Sequence, residues 1–162
     1  MYNREAIALE ATVSLNRLVC KGHGMQLYQQ ILTVKTDGKS LCKITNPVQD
    51  IVTQSGFQVG LCQLFLRHTS ASLVIQENAD PDVLKDLANF FARLVPEDAH
   101  YIHSLEGADD MPAHIRTVLT HTSEQIPLAN GRLMLGTWQG IYLWEHRQRG
   151  QRREVVVQLM GQ

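Results

Sequence analysis

Two polar segments of the chain carry side chains of the types that bind metals or transfer protons. The first, RHTSASLVIQENADPD, has His68 near its start and Glu77 near its end. Asp80 precedes a proline, and we predict that it caps a helix, because aspartate is favoured at that position. His68 and Glu77 have no such local role, which makes both of them candidate functional residues.

The second segment, HYIHSLEGADDMPAHIR, is rich in histidine and aspartate, including His103, Asp109, Asp110 and His114. Imidazole and carboxylate groups are the usual zinc ligands and also act as general acids and bases near neutral pH. The spacing matches no standard metal-binding pattern, and a surface or hydrogen-bonded core histidine is the alternative for each. The segment is therefore a candidate metal or acid–base site.

A third segment, LGTWQGIYLWEH, has two glycines inside a strand-like run. Glycine in a strand lets a ligand or another backbone approach closely. With the two-residue period of a strand, Thr137 and Gln139 would share one face between Gly136 and Gly140. This pattern predicts a binding face, and a bulge at a sheet corner or a contact between subunits is the alternative.

Strands are the main elements expected to position these segments. Apolar runs predict strands from Gln26 onward, with a turn at Asn130-Gly131 and a nearly all-apolar last strand, REVVVQLMG, which we expect at a sheet edge. Strands outnumber helices and short turns join most of them, so we predict a single α+β domain with a largely antiparallel sheet or sandwich.

Three helices are also predicted. The first runs from Asn46, as its cap, to Gly56; the second begins at Asp80; the third covers MPAHIRTVLTHTS. The apolar face of the second helix is expected to be core, and so are three side chains of the third, Ile115, Val118 and Leu119.

Composition excludes several classes of protein. The chain has 162 residues, 44% of them hydrophobic, and a formal charge of -1, which fits one domain and lacks the basic character of general nucleic-acid binders. Three widely spaced cysteines indicate neither a disulfide framework nor a thiolate zinc site. We expect a cytoplasmic protein without an export signal or a membrane span.

Residues 1–24 differ from the remainder, residues 25–162. Ile7, Ala11, Leu15 and Leu18 have helical spacing, which predicts an amphipathic extension that need not belong to the core. The alternative is a poorly ordered tail, with the domain beginning at Met25.

The C-terminal pattern carries a resemblance to a known family. Ser123, Ile126, Leu128 and Gly131, followed by GTWQ-x-I, resemble the signature of the YjbQ family, also called the secondary thiamine-phosphate synthase family. The resemblance extends to HTSASLVIQENADPD and EGADDMPAHIR. It runs from about Met25 to Gly161.

The resemblance implies an α+β homotrimer whose polar segments meet in a pocket at or near a subunit boundary. It also implies weak thiamine-phosphate synthesis, in which a pyrimidine pyrophosphate joins a thiazole phosphate with loss of pyrophosphate. The expected partner is thus a small phosphorylated molecule. A non-catalytic trimer that binds a metabolite or an anion is the alternative function.

With that resemblance, we expect the candidate residues to share one pocket. The shorter EGN-DAHI form of other members leaves it open whether Asp109 or Asp110 is the counterpart, and the loop RQRGQRR leaves its arginines, Arg147, Arg149, Arg152 and Arg153, unassigned. The expected ligands of a divalent metal, zinc or magnesium, are His68, His103 and His114. The expected catalytic residues are Glu77, Asp110 and Gln139, and the expected substrate-binding residues are Thr69, Asn78, Arg116 and Thr137.

Overall fold

The computed structural model describes the backbone of residues 11–20 and all of residues 24–162, and within them it contains nine strands and three helices. The strands are β1 (Ala11–Cys20), β2 (Gln26–Lys35), β3 (Ser40–Lys43), β4 (Val59–Leu66), β5 (Ala71–Glu77), β6 (Ser123–Ala129), β7 (Arg132–Leu133), β8 (Gln139–Glu145) and β9 (Arg152–Gly161). The helices are α1 (Thr45–Ser55), α2 (Pro81–Leu94) and α3 (Asp110–Leu119).

The strands form two antiparallel sheets. One has the order β1-β2-β9-β4-β6-β7 and the other the order β3-β8-β5. Leu64 of β4, Leu143 of β8 and Val157 of β9 are among the buried residues that join both sheets and α1 in one hydrophobic core. The predicted α+β domain with largely antiparallel sheets is thus confirmed.

The last strand, β9, is central and not an edge. It pairs with β2 on one side and with β4 on the other. Its long apolar run reflects this position, so the expectation of an edge strand was wrong.

Local signals located the helix and turn boundaries with two exceptions. Asp80 accepts a hydrogen bond from the backbone N–H of Asp82 at 2.9 Å, which confirms the predicted cap of α2. Gly56 ends α1 with φ 77°, also as predicted. The predicted cap at Asn46 is wrong, because α1 already begins at Thr45 and no side chain caps it. The third helix ends at Leu119, before the HTS that was expected to continue it.

The inward faces of α2 and α3 differ from the predicted ones. No residue of α2 is fully buried, because the helix lies on the outer face of the three-stranded sheet with only that sheet beneath it. In α3, Ala113 and Thr117 are buried, whereas Val118 and Leu119 are exposed. The helical periodicity indicated amphipathic elements without indicating how deeply each would be buried.

The predicted helical extension is a strand where the structure describes it. The residues of β1 pair antiparallel with β2, from Ala11 opposite Val34 to Cys20 opposite Leu27. An unpaired edge of β2 offers backbone donors and acceptors to such a segment, which favours strand over helix. Residues 1–10 and 21–23 lie outside the described residues. No described helix has the length and apolar character needed to cross a membrane.

Candidate metal centre

Three elements meet at one end of the three-stranded sheet. Ala71, the first residue of β5, is opposite Glu145, the last residue of β8, so the segments flanking them lie together. Helix α3 packs on this end, where the hydroxyl of Thr117 donates to the carbonyl oxygen of Ala71 at 3.3 Å. This bond ties the C-terminal half of α3 to the start of β5, beside the last residue of β8.

His103, Asp110 and His114 form a cluster at this place. One potential ligand atom from each lies within 4.8 Å of the others. Oδ2 of Asp110 is 2.8 Å from Nε2 of His103 and 3.3 Å from Nε2 of His114. The carboxylate is buried, while the histidines are more accessible. The arrangement is two imidazoles and one carboxylate, open on the side of the histidines.

The ring of His114 is oriented by a backbone contact. Its Nδ1 donates a hydrogen bond to the carbonyl oxygen of Thr69 at 2.9 Å. Because that carbonyl can only accept, Nδ1 carries the proton and the Nε2 lone pair is directed into the cluster in the neutral ring. A hydrogen bond from the second ring nitrogen is the usual outer support of a metal-binding histidine.

The other side of the Asp110 carboxylate contacts Arg147, just after β8. Nη1 of Arg147 bonds Oδ1 of Asp110. The same guanidinium donates through Nε to Asp109 at 3.0 Å and through Nη2 to the carbonyl oxygen of Glu106 at 2.8 Å. Arg147 therefore holds the turn that leads into α3 at three points.

Asp109 and Asp110 have different environments. Asp109 does not face the histidines; it accepts hydrogen bonds from Arg147 and from the backbone N–H of Gln148. Desolvation raises the pKa of Asp109, but the bond from Gln148 and the bond and charge of Arg147 outweigh it, so that the pKa lies below its usual value. Asp110 is the aspartate of the cluster, where its position makes it a candidate ligand; its expected acid–base role stays a prediction.

Four of the expected site residues lie at the opposite end of the same sheet. Glu77 pairs with Gln139 at the far ends of β5 and β8, about 20 Å from Ala71 by the rise of a strand. The amide of Asn78 donates to the carbonyl oxygens of Thr137 and Gln139. These residues do not meet the histidine cluster within one chain.

The polar groups at that end bond to nearby backbone. Oε1 of Gln139 accepts from the backbone N–H of Gly136 at 2.8 Å, and Oε1 of Glu77 accepts from that of Ala79 at 3.0 Å. The strand β8 begins only at Gln139, so residues 136–138 form a turn. The expectation of a strand face shared by Thr137 and Gln139 was wrong in this respect.

His68 and Arg116 also lie apart from the cluster. Nε2 of His68 accepts a hydrogen bond from the backbone N–H of Glu154 at 2.9 Å. Desolvation, followed by the charge of Arg153, lowers the pKa of His68. Arg116 is buried, donates to the carbonyl oxygen of Val95 and lies near Glu97. The structure brings together two of the three expected histidine ligands and Asp110, with the backbone of Thr69 beside them.

Most of the chain is similar to proteins of one family. The model of the family described as UPF0047 protein YjbQ-like matches residues 30–162, which include the whole cluster. A UPF0047 protein of Synechocystis is 63% identical over 136 residues, covering 83% of this chain and 92% of that protein. The UPF0047 protein YjbQ of Escherichia coli is 41% identical over 136 residues, covering 83% of this chain and 99% of that protein. Among solved structures, a YbjQ-like protein of unknown function from Sulfolobus solfataricus aligns with a TM-score of 0.79 at 27% identity, covering 85% of this chain and 99% of that chain.

Proposed function

The chain belongs to the YjbQ-like UPF0047 family, and from that premise we propose that it is a metal-dependent enzyme acting on a phosphorylated or pyrophosphorylated small molecule. Weak thiamine-phosphate synthesis is one reaction of this class. The observation that supports the proposal is the cluster of His103, Asp110 and His114, with ligand atoms within 4.8 Å of one another.

The donor set favours zinc, or another ion that prefers imidazole, over magnesium. Magnesium prefers oxygen ligands and water, whereas two imidazoles and a carboxylate are typical of catalytic zinc and of non-haem iron. A divalent ion in such a site supplies Lewis-acid stabilisation of charge on a phosphoryl oxygen. The accessible histidines leave room for a substrate on one side, and the buried Asp110 fixes the other side.

In this proposal, the residues at the opposite end of the sheet contribute to the metal site of a neighbouring chain and not to that of their own chain. Glu77 and Gln139 are about 20 Å from the start of β5 in the same chain. They would reach a substrate at the cluster from a neighbouring subunit of a homotrimer. Their proposed catalytic roles thus depend on self-association.

The test is metal binding by purified protein. We expect the wild-type protein to bind one zinc ion per chain in calorimetric titration and to bind magnesium far more weakly. Asp110→Asn and His114→Ala should each abolish tight zinc binding. His114→Ala should leave the unfolding midpoint before metal is added nearly unchanged, because His114 is partly exposed and contacts only a carbonyl and the cluster. Asp110→Asn should lower that midpoint, because it removes the buried charge that pairs with Arg147. His100→Ala, at an exposed histidine outside the cluster, is the matched control.

Turnover distinguishes the enzyme from a binding protein. Zinc-loaded protein is incubated with a pyrimidine pyrophosphate and a thiazole phosphate, and with a panel of phosphate esters. Release of pyrophosphate or phosphate that is lost in Asp110→Asn supports the proposal. Tight binding of phosphate compounds without any turnover favours the metabolite-binding alternative, and a wild-type protein that binds no transition metal refutes the proposal.

A further inference from the structure

Arg147 is placed to control the carboxylate of the candidate metal centre. It bonds Oδ1 of Asp110, while Oδ2 of the same carboxylate faces Nε2 of both histidines. The two oxygens of Asp110 therefore have separate partners. One is engaged by the guanidinium, and the other is directed toward the place where the ligand atoms converge.

The position of Arg147 is itself fixed from the protein core. Its backbone N–H donates to Oε1 of Glu145 at 3.0 Å. Glu145 is fully buried between the sheets, where it bonds Arg153 and the hydroxyl of Thr36. A continuous series of contacts thus runs from the core, through Glu145 and Arg147, to Asp110.

The shape of the arginine side chain is needed for this arrangement. The guanidinium bonds Asp109, Asp110 and the carbonyl oxygen of Glu106 through three different nitrogens. A lysine has one ammonium group and cannot reproduce a planar set of donors. The side chain is also largely buried, with 17% of its surface exposed, which limits competition from water.

We propose that Arg147 is a positioning residue of the metal centre, which holds Asp110 so that only Oδ2 is available to the ion. This inference rests on the proposed metal site and assigns to it a residue 37 positions from Asp110. Outer partners that orient metal ligands typically contribute 10–100-fold to metal affinity. By leaving Asp110 a single free oxygen, Arg147 also keeps coordination positions open for a substrate.

The experiment compares metal affinity and the ligand environment in four proteins: wild type, Arg147→Ala, Arg147→Lys and Arg149→Ala. Cobalt(II) serves as the probe, since its visible absorption spectrum reports the number and type of ligands, and zinc affinity is measured by competition. Arg149 is an exposed arginine on the same loop and provides the matched control.

We expect Arg147→Ala to weaken cobalt and zinc binding about 10–100-fold, to change the cobalt spectrum at saturation and to keep one ion per chain. Arg147→Lys should fall between this variant and the wild type. Arg149→Ala should match the wild type. If Arg147→Ala does not fold, Arg147→Lys carries the test, with weaker binding and a changed spectrum expected.

Two different failures are distinguishable. If the wild-type protein binds neither metal, the proposed function fails and this inference fails with it. If the wild type binds and a folded Arg147 variant shows unchanged affinity and an unchanged cobalt spectrum, only this inference is overturned. A lower unfolding midpoint with unchanged metal binding would assign Arg147 to loop stability alone.

Discussion

His146 is enclosed on the outer face of the three-stranded sheet. Its ring is 1% exposed, its Nε2 is 2.9 Å from Oγ of the buried Ser72, and its ring centroid is 5.2 Å from that of Trp144. Desolvation, followed by the charges of Arg116, Arg153 and Lys39, lowers the pKa of His146 to about 3. The imidazole is therefore neutral in the folded protein from neutral pH down to mild acid.

This depressed pKa predicts a loss of stability in mild acid. An unfolded histidine has a pKa of about 6.5, so between this value and about 3 the unfolded chain binds a proton that the folded chain excludes. The contribution of the neutral His146 to the free energy of unfolding is complete above pH 6.5 and falls by about 1.4 kcal/mol per pH unit below it. Urea unfolding at pH 7 and pH 5 should show a loss of stability that is smaller in His146→Gln than in the wild type by about 2 kcal/mol. The pKa of His68 is also lowered, so part of the pH dependence should remain in the variant.

The control for this experiment is a histidine in solvent. His100→Gln changes an exposed residue and should retain the pH dependence of the wild type. Both variants are measured in the presence of a chelator, so that metal binding does not contribute. Equal pH dependence in His146→Gln and the wild type would contradict the assignment to His146.

At the scale of the element, the features that depend on neighbouring residues were the ones that the sequence predicted. A cap or a turn depends on a few neighbouring residues, so Asp80 and the hairpin at Asn130-Gly131, with φ of 52° and 69°, were predictable. Asp110 and His114 are four positions apart on one helix, which brings their side chains together. Burial depth was not predictable, because it depends on what other elements cover a helix.

The rest of the candidate site depended on pairings across the chain. Arg147 meets Asp110 only because β8 ends where α3 begins, and the residue types of its loop carry no signal for this. The separation of Thr69 from Glu77 could have been foreseen. Thr69 precedes the strand β5 and Glu77 is its last residue, and an extended strand of this length keeps its ends about 20 Å apart.

The first strand provides a prediction at this scale. A chain beginning at Met25 lacks β1, whose partner β2 keeps its pairing with β9. We expect this truncated chain to fold and to bind zinc with unchanged affinity, because the candidate metal centre lies at the end of the other sheet. Thermal unfolding measures the stability of the truncated chain, and calorimetric titration measures its zinc affinity. A loss of 1 kcal/mol in the free energy of unfolding would lower the midpoint by roughly 2–4 °C. A fall beyond that range would show that residues 1–24 belong to the core.

At the scale of the whole molecule, several large apolar side chains of α2, α3 and the loop between these helices are exposed. Phe90 and Leu94 of α2 and Val118 of α3 are more than half exposed, and Ile102 and Leu105 in the loop between the helices are almost completely exposed. Exposed apolar side chains that adjoin one another commonly mark an interaction site. Ile102 and Leu105 are close to His103 in sequence, so a second chain that covers them would also approach the candidate metal centre.

We propose that this apolar surface contributes to the interface of a homotrimer. Light scattering coupled to size-exclusion chromatography should then give three times the chain mass of 18.3 kDa at micromolar concentration. Phe90→Glu should shift the protein toward the monomer, because burying a carboxylate without a partner in an apolar interface is strongly unfavourable. Asn89→Glu, which adds the same charge at an exposed position on the polar face of the same helix, should leave the mass unchanged. A wild-type protein that is monomeric under these conditions would refute self-association, and with it any contribution of Glu77 and Gln139 to the cluster of another chain. A trimer that Phe90→Glu leaves intact would instead place the interface on another part of the surface.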